Sequence, residues 1–278
     1  MLKNFVAQTI NLLKRSDITI RSTEFREVTF EDSDNNTHTV NISVSDCFNA
    51  TSLADNLILQ VMIFFSVLDA KIDIMFPDLQ GESFRKKYQK IPKTDDNLII
   101  LSQIFRIFKI LRNASVHSMN AITINDNVIN VSYSFGNTNY ELEINKPGLE
   151  LLYTLVLDFI DPVVLNEKYS AGLRRTLYDD LKGHIHKLSD EFGHTGLENI
   201  SSGLRLKRIV RYQVTNPTYE IRDNHLIINS IYELNDSYSS GYGVDYLVTI
   251  AGQKYMIPHE ILDSDNKVNL KAIYEWNV

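Results

Sequence analysis

Apolar positions recur with helical spacing in some stretches of the chain and alternate in others, and that contrast predicts its elements. The longest helical pattern predicts a helix from Thr94 to Asn120. Thr94 is a candidate N-cap, Asp95 and Asp96 occupy the first turn, and Arg106, Lys109 and Arg112 fall toward the end, which suits both poles of the helix dipole. A second apolar helix is expected from a capping-box-like start at Ser52 and Asp55 to Phe76, where Pro77 stops it. Further helices are predicted over Leu2 to Lys14, Leu149 to Ile160 between Pro147 and Pro162, and Glu167 to Phe192. Alternation predicts a hairpin from Phe25 to Val44 about Asp32 to Asn36, and a meander over Ile122 to Ile124, Val128 to Phe135 and Tyr140 to Ile144. It also predicts strands at Leu204 to Val214, Thr218 to Ile221, Leu226 to Leu234 and Val244 to Ile257, with Ala251-Gly252 as a hairpin turn. The fold class read from this pattern is α+β: a helical bundle with inserted β-hairpins and a β-rich C-terminal region. Residues 1–46 form an N-terminal extension, 47–165 the helical domain and 166–278 a helix followed by the strand-rich part.

Placed at about 100° per residue, Gln103, Arg106, Lys109, Asn113 and His117 share one polar stripe of the long helix, which predicts a solvated or partner-facing side. Arg112 falls instead in an apolar arc with Leu101, Phe105, Phe108 and Val116, where a guanidinium is costly unless it is paired or faces a polar cleft. Asp69 and Asp73, one turn apart on the preceding helix with Met62 and Ser66, are its candidate partners. Between the two helices Arg85, Lys86, Lys87 and Lys90 make the densest positive run, interleaved with Phe84 and Tyr88; such a run is either a solvated face or a phosphate contact.

The run Arg112-Asn113-Ala114-Ser115-Val116-His117 at the end of a long helix resembles the signature of the HEPN superfamily, in which an Arg precedes a His by a few residues. The resemblance covers Cys47 to Val164. It implies a HEPN-like helical bundle that pairs face to face as a homodimer, with both copies of the motif lining one cleft. It further implies a metal-independent endoribonuclease of the kind found in toxin and antiviral defence systems, leaving 2′,3′-cyclic phosphate and 5′-hydroxyl ends. His117 would be the general acid/base, Arg112 the phosphate clamp and Asn113 a geometry-fixing or phosphate-contacting group, with Asp69 and Ser115 in support. Arg85, Lys86, Lys87, Lys90, Arg106 and Lys109 would meet the RNA. Some HEPN toxins carry a Tyr two residues after the His, where this chain has Met119, so the nucleotidylation control that uses such a Tyr is not implied. The alternatives are a non-catalytic HEPN module that binds RNA or a nucleotide, and a dimeric scaffold whose protein partner is read by the C-terminal region. On a straight helix Arg112 and His117 point about 140° apart, so either the helix unwinds near Ser115 or a second chain completes the site.

Composition narrows the classes. The 278 residues are 44% apolar and carry a formal net charge of −7, so nucleic-acid binding has to come from local patches. One cysteine, Cys47, excludes an internal disulfide, and the start MLKNFVAQTI lacks a signal-peptide core; a cytoplasmic location is expected. The apolar run Leu57 to Phe76 is broken by Gln60, Ser66, Asp69, Lys71 and Asp73, which predicts a buried helix and no membrane span. No metal or other cofactor is expected: His184 and His186 point about 200° apart on a helix, and no Cys or spaced acid completes a set with them and His194. Gly241-Tyr242-Gly243 reads as a turn, having no phosphate-loop context. Arg205, Lys207, Arg208 and Arg211 form a second basic group; on a strand Arg205, Lys207 and Arg211 share one face, expected as an exposed charged face that discourages edge pairing, with a nucleic-acid backbone contact as the alternative.

Overall fold

In the computed structural model the described residues are 6, 9–11, 13, 22–31, 35–46, 56–117, 121–162, 166–193, 196–207, 210–229 and 242–278. Cys47, Ser52, Asp55, Met119, His194, Arg208 and Gly241 lie outside them. The fold is mixed α+β. It divides into two compact units, Met1–Arg21 with Cys47–Asp161 and Leu177–Ser201, and Ser22–Asp46 with Pro162–Thr176 and Ser202–Val278. The three consecutive segments expected from the sequence do not map onto these units, because the chain enters each unit more than once. The hairpin of strands β1 (Ser22–Glu31) and β2 (Thr37–Asp46) comes early but belongs to the second unit, where β2 pairs antiparallel with β7 (Val210–Val214).

Helix α1 (Leu57–Met75) contributes Val61, Phe64, Phe65, Val67, Leu68 and Ile72 to the core of the first unit, which also holds Val6 and Leu13. The Asn56 side chain caps it by accepting from the Leu59 amide at 2.9 Å, and Pro77 follows its end. Helix α2 (Phe84–Lys90) is capped by Ser83. Helix α3 (Asp96–His117) is the axis of the unit: every residue from Ile100 to Leu111 is buried. Its Phe105 ring lies 5.5 Å from Phe65 of α1, and Phe64 stacks at 4.1 Å on Tyr153 of helix α4 (Lys146–Ile160). Helix α4 has Pro147 in its first turn, as its sequence predicts, and is capped by Asn145, which accepts from the Gly148 amide.

The expected meander is present as β3 (Ile122–Asn125), β4 (Val128–Phe135) and β5 (Thr138–Asn145). A fourth strand extends it. The helix predicted to reach Phe192 ends sooner, as α5 (Glu167–Gly183), and the chain then forms β6 (Ile185–Ser189) antiparallel to β5. Leu188 opposite Leu142 takes a core position that no continuing helix would fill.

In the second unit a five-stranded sheet runs β1, β2, β7, β10 (Tyr242–Ile250), β11 (Gln253–Pro258), with β7 parallel to β10. Ala251 and Gly252, both at positive φ, make the predicted turn between the last two. A three-stranded sheet of β8 (Tyr219–Arg222), β9 (His225–Ile228) and β12 (Lys267–Asn269) and the short helix α6 (Leu270–Ile273) complete it around Tyr246, Ile257 and Trp276. Among the described residues no helix is long and apolar enough to cross a membrane.

Candidate functional site

Residues Leu59, Met62, Ser66, Asp69 and Asp73 recur along one face of α1, and the last four line an open cleft of about 240 Å³ in the first unit. Phe65 and Phe84 supply its apolar wall and Arg112 of α3 reaches it from the other side. The Arg112 guanidinium lies 5.2 Å from the centre of the Phe84 ring and donates from Nη1 to the Asn113 amide oxygen at 3.1 Å. The misfit of Arg112 in an apolar arc is therefore resolved by a cleft with an aromatic floor.

The acids of the cleft meet a cation that the sequence reading assigned elsewhere. Lys87 Nζ donates to Asp69 Oδ1 at 2.7 Å and to Asp73 Oδ1 at 2.6 Å, and its side chain is 3% exposed. The expectation that Lys87 meets RNA phosphate is thus corrected: its ammonium bridges two carboxylates. The signal was legible in the pattern, since Phe84, Lys87, Tyr88 and Ile91 share the inward face of α2. Burial raises the Asp69 carboxyl above its ordinary value; the Lys87 hydrogen bond and charge work against this, the Asp73 charge adds to it, and Arg112 opposes it. The exposed members of the same run remain at the surface: Lys86 and Lys90 both pair with Glu82, and Arg85 is exposed.

The polar stripe of α3 is a second correction. Gln103, Arg106 and Lys109 are not solvated; they are covered by the segment that follows β6. Arg106 donates from Nε and Nη2 to Asp190 at 2.9 and 2.8 Å and from Nη1 to the Gly196 carbonyl at 3.0 Å. Lys109 pairs with Glu191 at 2.5 Å, and Gln103 donates to the Tyr88 hydroxyl at 3.2 Å. The acids that cover this stripe come from more than 80 residues later in the chain, a separation that helical periodicity does not register. Arg106 and Lys109 are withdrawn from the RNA-contacting set. Likewise Leu101, Phe105 and Phe108 are fully buried within their own unit, so of the apolar arc only Val116, at 45%, offers surface.

The motif itself stands at the end of α3. Helical backbone continues unbroken through His117, and the Ser115 hydroxyl donates back to the Leu111 carbonyl at 2.8 Å, so the helix does not unwind there. The His117 side chain lies outside the described residues. Arg112, Asn113, Asp69 and Ser115 are all partly accessible.

The two histidine-based and glycine-based motifs take structural places. His184 Nδ1 meets the Asn145 amide at 2.9 Å, and among the described residues no group of His, Cys, Asp and Glu could hold a metal ion. Gly243 lies inside β10, where a Cβ would stand 2.1 Å from Arg211 Nη1. Arg211 is the third correction: far from forming an exposed charged face, it is buried in the second unit, bidentate to Asp245 at 3.0 and 2.5 Å and bonded to Glu260 at 2.6 Å. Tyr169 donates to the same Asp245 at 2.6 Å. Asp245, Glu260 and the Tyr169 ring, 5.6 Å away, enclose the guanidinium, so this face of β7 is covered at Arg211. Compared with known protein families, curated proteins and solved structures, the chain finds no match.

Proposed function

We propose that the first unit is a HEPN-like domain and that the protein is a homodimeric, metal-independent endoribonuclease. The observation that carries this reading is the placement of Arg112 and Asn113: a guanidinium and an amide tied together at the mouth of a cleft beside Asp69, on a helix that carries His117 one and a half turns further on. In the proposed reaction the imidazole of His117 moves the proton of a ribose 2′-hydroxyl or of the leaving 5′-oxygen. Arg112 stabilises charge on the pentacoordinate phosphate, and Asn113 fixes the guanidinium. The nucleophile belongs to the substrate, so the products are a 2′,3′-cyclic phosphate and a 5′-hydroxyl end.

The unbroken helix supports a composite site. Five residues separate Arg112 from His117, about 7.5 Å of rise and about 140° of rotation, so one copy does not aim both groups at one phosphate. A twofold partner supplies the missing half. Its contact surface is the motif end of α3 with Val116 and the accessible face of α1 with Leu59, 42% exposed.

The test is incubation of the purified protein with mixed RNA and with DNA in EDTA, followed by identification of the product ends. RNA is expected to be cut and DNA to survive, because it has no 2′-hydroxyl. His117→Ala should abolish cleavage with little change in unfolding midpoint, and Arg112→Lys should also fail, since an ammonium lacks the planar fork. Cleavage that persists in His117→Ala, or that requires added divalent metal, overturns the mechanism and favours a nucleotide-binding module.

A further inference from the structure

The cleft beside Arg112 holds more chemistry than a phosphate clamp requires. Asp69 and Asp73 each engage one oxygen with Lys87, and each has a second oxygen that accepts no hydrogen bond from a described residue. The Lys87 ammonium stands between them and already fills the place a cation would take. The two carboxylates, the ammonium and the Arg112 guanidinium sum to no net charge, so the cleft does not repel an RNA chain as an acidic pocket would. What it offers is a second acceptor oxygen on each carboxylate beyond the one Lys87 engages, an aromatic ring, and a guanidinium at the rim.

We infer that this cleft takes up one unpaired base of the substrate and selects guanine; the inference rests on the ribonuclease reading above. Unstacked bases are held by aromatic or guanidinium planes and read along the Watson–Crick edge. Guanine presents two adjacent donors there, N1–H and N2–H, which match carboxylate oxygens. Adenine and cytosine place an acceptor nitrogen beside their amino group, and uracil flanks one N–H with two carbonyls, so each of the three sets a lone pair against a carboxylate. The volume, about 240 Å³, lies below the roughly 300–1,000 Å³ of pockets for larger ligands and suits a single base. Arg112 at the rim then contacts the phosphate next to the bound base.

Calorimetric titration of the full chain with the four nucleoside 5′-monophosphates in EDTA tests the binding, and sequencing of RNA product ends tests the selectivity. GMP is expected to bind about tenfold or more tighter than AMP, CMP or UMP. Asp69→Asn and Asp73→Asn should each erase most of that preference, because an amide adds a donor where an acceptor is needed. Both variants disturb the Lys87 bridge, so Ser66→Trp serves as the independent variant: it fills the cleft from the exposed face of α1 while keeping both carboxylates and Lys87, and should abolish GMP binding. Equal affinity for all four nucleotides, or GMP binding unchanged in Ser66→Trp, overturns the inference. Cleavage at all bases alike also overturns it while leaving the ribonuclease reading intact; GMP-selective binding without cleavage does the reverse.

Discussion

Arg106 and Asp190 show how much one buried pair decides. Both side chains are almost fully enclosed, and the guanidinium satisfies both carboxylate oxygens as well as loop carbonyls. Removing one partner strands the other, so Arg106→Met should cost about 3–5 kcal/mol in urea unfolding. Burial alone would raise the Asp190 carboxyl, but the Arg106 hydrogen bond, the Lys109 charge and the Phe192 amide outweigh it and hold the group below its ordinary 3.8. A folded-state value below the unfolded one gives stability that is full above the unfolded value and is lost as pH falls through the folded value. Unfolding midpoints measured from about pH 6 to about pH 3 should therefore fall less steeply in Asp190→Asn than in the parent protein.

At the scale of elements, α3 owes its position to covering groups on every side. Its apolar residues meet α1 and α4, and its cations Arg106 and Lys109 meet the chain after β6. Strand β10 makes the same point in the second unit. Gly243 leaves room for the Arg211 guanidinium to lie against bare backbone, and that guanidinium is fixed by Asp245 and Glu260. Gly243→Ala cannot be relieved by swinging a free side chain, because moving Arg211 breaks both pairs. A loss of about 1–3 kcal/mol is expected, readable as a lower midpoint of the second unit.

For the whole molecule, the proposed activity depends on a second copy. Light scattering at micromolar concentration should give twice the 32.0 kDa chain mass. Val116→Glu and Leu59→Glu, which place charge on the contact surface named above, should give monomers that no longer cut RNA. A monomeric parent protein, or a dimer untouched by either substitution, would count against the composite site.

The sequence by itself determined the elements whose signals are local. The start of α4 follows from Pro147, the β3–β5 meander from alternation and its turn residues, and the Ala251-Gly252 hairpin from its flanking strands. It also made Arg112 conspicuous, because a guanidinium in an apolar arc conflicts with the period around it. Only tertiary structure decided where the other charges went. Lys87 sits in a basic run, yet it closes on two acids of α1; Arg106 and Lys109 read as a solvated stripe until Asp190 and Glu191 arrive from the segment after β6; Arg211 is buried because Asp245, Glu260 and Tyr169 close over it. Charges can be buried only against a partner, and each of these partners lies on a separate element, so no local pattern shows them together.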